Sequence, residues 1–72
     1  MEKFWTVLEI QRDARGVIGS IAQSNAHEME AQSSYYGICS VAALSSVPYH
    51  AVMLINDNGD IEMVRIFDRR GE

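Results

Sequence analysis

The chain has 72 residues with one cysteine and two histidines, which makes it one small domain with no internal disulfide and no clustered set of metal ligands. A domain of this size buries only about 60% of its unfolded surface, so oligomerisation is the remaining source of extra stability. The formal net charge of -4 argues against general DNA or RNA binding, which depends on neutralising phosphates.

Phe4 to Gln11 alternates Phe4, Thr6, Leu8 and Ile10 with Trp5, Val7, Glu9 and Gln11, and its aromatic and β-branched content predicts a strand whose two faces both begin apolar. Asp13-Ala14-Arg15-Gly16 has hairpin-loop chemistry, and Val17 to Gln23 reads as a thin returning strand. Asn25 and Glu28 have capping-box spacing and predict a helix start, while Pro48 forces the helix to end near Ser46. Tyr49 to Asn56 is a third strand, Asp57-Asn58-Gly59-Asp60 a turn, and Ile61 to Phe67 a fourth strand before the charged segment Asp68 to Glu72. The expected fold is α+β, a single ββαββ domain over residues 1–72. One helix packs on one face of a four-stranded antiparallel sheet, and oligomerisation completes the structure.

From Ala31 through Asn56 the sequence contains no Asp, Glu, Lys or Arg, although it holds five serines and His50. The window is too polar for a membrane span and too uncharged for an ordinary exposed helix and strand, which predicts self-association. Ala31, Tyr35, Ile38, Cys39 and Ala42 form the helix stripe expected to meet the sheet, widened by Met29, Tyr36 and Ala43. Ser33, Gly37, Ser40, Val41 and Leu44 leave the opposite side smooth enough for another helix. The uncovered sheet face is expected to hold Trp5 and Val7, together with one parity of the third strand. Met1 to Lys3 leads directly into a strand pattern without the n-region and h-region of a signal peptide, and a lone cysteine suits a reducing compartment, so a cytoplasmic location is expected.

His50, after the helix-ending Ser45-Ser46-Val47-Pro48-Tyr49, is the most suggestive polar side chain, set against the plainer account of a histidine packed at the core edge. No Gly-x-Ser-x-Gly elbow is present and no carboxylate is evidently placed to orient it. Cys39 reads as a packed, inert thiol rather than a nucleophile for His50, and His27 with Glu30 as an exposed helix start rather than a metal pair. Tyr35 and Tyr36 diverge by about 100° on a helix, so one can enter the core while the other meets an interface or a ligand. Trp5 poses the same question on the sheet. Arg65, Arg69 and Arg70 end the fourth strand and Arg12 and Arg15 the first hairpin; they are solvated charges or, gathered across a dimer, a phosphate clamp.

The run from Glu30-Ala31 through Tyr35, Ile38 and Ala42-Ala43-Leu44-Ser45 to His50, Leu54 and Gly59, with the opening Trp5-Thr6-Val7-Leu8-Glu9-Ile10-Gln11, resembles small uncharacterised proteins of bacteriophage and prophage genomes. The resemblance covers nearly the whole chain and implies a phage accessory protein that acts by binding: sequestering a host immune nucleotide signal, or inhibiting a host protein. No catalytic role carries over from it. The expectation is therefore a non-enzymatic homo-oligomeric sponge for a cyclic or linear nucleotide, with His50, Tyr35, Tyr36, Trp5, Arg65 and Arg69 as ligand contacts and no cofactor. The alternatives are an inhibitor docking its uncovered sheet face or edge on a host defence protein, and a small hydrolase using His50.

Overall fold

The computed structural model describes residues 2–70, in the order β1 (Trp5–Arg12), β2 (Ile18–Asn25), α1 (Glu28–Leu44), β3 (Tyr49–Asn56) and β4 (Ile61–Asp68). This is the expected α+β ββαββ arrangement; Met1 and the Gly71 and Glu72 of the charged tail lie outside the described residues. The sheet order is β2-β1-β3-β4 and every neighbouring pair is antiparallel. The two hairpins therefore meet through β1 and β3, and α1 carries the chain from the edge strand β2 back to the centre of the sheet.

Both hairpins are closed by the same local device. The Asp13 carboxylate accepts from the backbone N–H groups of Arg15 and Val17, and the Asn56 side-chain oxygen accepts from those of Asn58 and Asp60. In each loop the glycine three residues on, Gly16 or Gly59, sits at φ 87°, in the left-handed region that a residue with a Cβ avoids.

The β1–β3 register decides the core. Val7 lies opposite Leu54, Glu9 opposite Val52 and Gln11 opposite His50, so these side chains share one face. Under α1, Val7, Val52 and Leu54 pack with Ala31, Tyr35, Cys39 and Ala42, and Trp5, Ile38, Met63 and Phe67 close the margins. This corrects the expectation that Trp5 and Val7 lie on the uncovered face. The uncovered face is instead the other parity, centred on Leu8, Ile10, Ala51, Met53, Val64 and Ile66.

The predicted stripe of Ala31, Tyr35, Ile38, Cys39 and Ala42 does meet the sheet, but Met29, Tyr36 and Ala43 do not widen it and are exposed. The helix begins later than the Asn25–Glu28 pattern suggested. Asn25 remains in β2, its side-chain oxygen accepts from the His27 N–H, and His27 is the N-cap without a side-chain cap bond. Glu28 and Glu30 in the first turn face the positive end of the helix dipole. At the other end no glycine supplies a left-handed cap; the Arg69 guanidinium donates to the carbonyls of Ala43 and Ser45 instead. The end of β4 and the end of α1 are thereby joined.

Leu54 is fully buried at the centre of this small core. Leu54→Ala is expected to cost about 2–4 kcal/mol, a large share of the stability of a domain this size, read as a lowered urea midpoint with the transition slope unchanged.

Candidate functional site

Helix α1 lies chiefly over the central strands β1 and β3, and no residue of β2 is buried or packed against the core. Small and polar side chains there leave a cleft of about 430 Å³ between the helix and the β1–β2 hairpin. Glu9, Gln11 and Gln23 reach it from the sheet, His50 from the start of β3, and Ser34, Gly37, Ile38, Val41 and Ser45 from the helix. The groove continues over Gly19 and Ile21 of the edge strand, still bordered by Glu9 and Gln11.

At its inner end lies a buried polar relay. Gln11 Nε2 donates to Glu9 Oε1 at 3.0 Å, and Glu9 Oε2 is 2.9 Å from His50 Nδ1. Glu9 is 7% exposed and His50 only 3%. Glu9 as a carboxylate accepts from Nδ1–H of His50; Nε2 is then an acceptor in the neutral imidazole and a second donor in the imidazolium. Nε2 is buried and has no hydrogen-bond partner, a condition that a native interior usually avoids. The carboxylate that the sequence did not reveal beside His50 is thus Glu9, 41 residues upstream.

A carboxylate–histidine pair is the orienting half of a nucleophilic triad, but the other half is missing: no hydroxyl is bonded to Nε2, and the Ser45 hydroxyl accepts from the Val47 N–H. Cys39 belongs to the hydrophobic core, at 9% exposure. Among the described residues no group of three or more His, Cys, Asp or Glu could hold a metal ion, and no helix is long and apolar enough to cross a membrane.

Of the six ligand contacts expected from the sequence, only His50 lines this cleft. Trp5 lies opposite Asn56, six residues along the sheet from the Gln11–His50 pair, or about 20 Å at the rise of a strand. Tyr35 is buried in the core, where loss of solvent pushes its phenol pKa up, and it meets the exposed Tyr36 edge-on at a centroid distance of 5.4 Å. Arg65 lies over the Phe67 ring at 5.5 Å, away from the other arginines. Arg69 borders a second, more polar cleft of about 450 Å³ with Arg12, Arg70, Asp13 and Pro48, so three arginines gather within one chain. Two of the three are already engaged: Arg69 by the helix carbonyls, and Arg70 by Asp68 and the Tyr49 ring.

Glu9, Gln11, Gln23 and Ser34 are the cleft residues that the sequence reading missed. The available signal was the parity of β1, which sets Glu9 and Gln11 in line with the core residue Val7. Removing one partner of the relay strands the other: Glu9→Ala leaves His50 Nδ1 buried without an acceptor and is expected to cost about 1–3 kcal/mol, with Glu9→Gln restoring part of it in urea titrations. A separate outcome concerns acid. The side-chain hydrogen bond from Arg70 holds the Asp68 carboxyl at about 2, below its ordinary 3.8. The stabilisation from Asp68 is therefore complete above the ordinary value and is lost as pH falls through about 2. Asp68→Asn is expected to flatten the fall in melting temperature across that interval and to leave its neutral-pH trend unchanged.

No family model matches the chain, and neither do curated proteins or solved structures.

Proposed function

We propose that the chain is a non-enzymatic binding protein that holds a nucleobase-bearing small ligand in the cleft between α1 and the β1–β2 hairpin. The observation that carries this reading is the unpartnered, buried Nε2 of His50 beside a cleft that already exists without a ligand. A planar heterocycle suits such a site. Ile38 and Val41 offer an apolar wall, while Gln11, Gln23, Ser34 and Ser45 offer donors and acceptors to its edge. The arginine-bordered cleft at the same end of the sheet supports an anionic extension, with Arg12 as its exposed cation.

In the setting that the resemblance to phage proteins suggests, holding such a ligand sequesters a host signalling nucleotide, and the cell supplying it is the site of action. The missing nucleophile favours storage over turnover. A hydrolytic reading draws on the same Glu9–His50 pair and requires only water as the attacking group, so it is tested alongside.

Native mass spectrometry with cyclic and linear nucleotides is expected to show intact ligand mass on the protein. His50→Ala and Gln11→Ala should weaken binding by about tenfold or more, the loss of one or two buried hydrogen bonds. Absence of any adduct at millimolar nucleotide would overturn the reading in favour of a host protein as the partner. Recovery of a cleaved nucleotide, lost in His50→Ala, would replace sequestration with hydrolysis.

A further inference from the structure

The sheet face opposite α1 raises a question independent of the cleft. Cross-strand pairing arranges it as rows running from β2 to β4: Ser20, Ile10, Ala51, Ile66; then Ala22, Leu8, Met53, Val64; then Ser24, Thr6, Ile55, Ile61. None of these twelve residues is charged, but the register shift between Leu54 and Ile55 sets Glu62 beside Ile61 in the third row, on the side opposite Met63. Charged side chains stand at the two ends of this face: Glu62 in the third row, and Arg12 and Asp68 in the opposite end row with Ile18 and Tyr49, whose ring Arg70 covers. Ile66 is 58% exposed, Val64 54% and Ile18 68%, values that an isolated chain leaves in water.

We propose that this face is the interface of a homodimer in which two sheets pack face to face. Four strands about 4.8 Å apart and eight residues long at about 3.3 Å each make a face of roughly 500 Å² per copy, end rows included, so a pair packed over the whole face just reaches the roughly 1,000 Å² minimum of a specific interface. The two central rows carry no charge, and because the charged groups stand at the ends of the face an identical face brings little repulsion with it. A protein of different sequence would have to supply an equally uncharged flat surface, whereas a second copy supplies one by construction.

The size gradient also selects the symmetry axis. Each row begins with a small residue on β2 (Ser20, Ala22, Ser24) and ends with a large one on β4 (Ile66, Val64, Ile61). A two-fold axis lying along the strands sets β4 of one copy over β2 of the other, so large side chains meet small ones and the sheets close to the usual spacing of about 10 Å. A two-fold axis lying across the strands stacks β4 on β4 and β2 on β2, with collisions at one edge and a void at the other. The first arrangement is the one assigned.

Sedimentation equilibrium and light scattering over a concentration series are expected to give a two-chain mass. Val64→Lys with Ile66→Lys, both at exposed positions on an outer strand, should weaken the dimer by about 100-fold or more while the far-UV circular dichroism stays native. A wild-type monomer at high micromolar concentration overturns the proposal, as does a dimer indifferent to those substitutions, which would indicate pairing through a sheet edge or the helix. Orientation is read by a short bis-maleimide in a Cys39→Ala background. Mixed Ala22→Cys and Val64→Cys chains should cross-link with each other and neither with itself; self-linking of Val64→Cys would overturn the assigned axis.

Discussion

The pairing of β1 with β3 is the constraint from which the rest of the molecule follows. Each hairpin is specified locally by its own loop, but a two-stranded hairpin is marginal alone. Only the β1–β3 seam turns two hairpins into one sheet, and it is formed between strands separated by the whole of β2 and α1. It places Val7 against Leu54 and Glu9 within reach of His50. A slip of one residue would send both sets to opposite faces, stranding the apolar residues in water and the carboxylate away from its partner. The polar relay and the hydrophobic core therefore enforce the same register.

That agreement has an energetic asymmetry. A buried carboxylate and imidazole contribute little net stability when paired and are costly when separated. Apolar replacements at both positions would suit a core this small at least as well, so the pair is hard to explain as packing alone. Its cost is tolerable because Gln11 and His50 between them occupy both Glu9 oxygens. Within the relay what remains unpaired is His50 Nε2, which faces the cleft; the Trp5 indole Nε1, also buried without a partner, lies at the other end of the sheet.

The element order and turns were legible because they rest on local chemistry: Gly16, Gly59 and Pro48 each act within a few residues of themselves. The choice of sheet face was not. Both parities of β1 open with apolar residues, and Glu9 and Gln11 make the Trp5–Val7 parity look like the wet one. Only the long-range partner His50 makes that parity an interior one. Arg69 was likewise opaque. Read along the chain it is one of several terminal cations, and its position under the last carbonyls of α1 depends on the β3–β4 register. The cleft itself could not be read from the sequence at all, since it arises from small and polar side chains that only the tertiary fold sets face to face, rather than from any motif.

The thin packing of β2 has a consequence for motion. Both edge strands lack buried side chains, but β4 packs Met63 and Phe67 on the core and β2 packs nothing, so β2 is the part of the sheet that detaches at the lowest free energy. Gln23 on that strand is also a wall of the cleft. A molecule gripped there would hold the weakest seam of the sheet shut, and by linkage its residence time and the protection of the β2 amides from exchange would rise together. The cleft is then less a fixed cup than a latch, and the strand that looks least necessary to the fold is the one whose motion a ligand would feel.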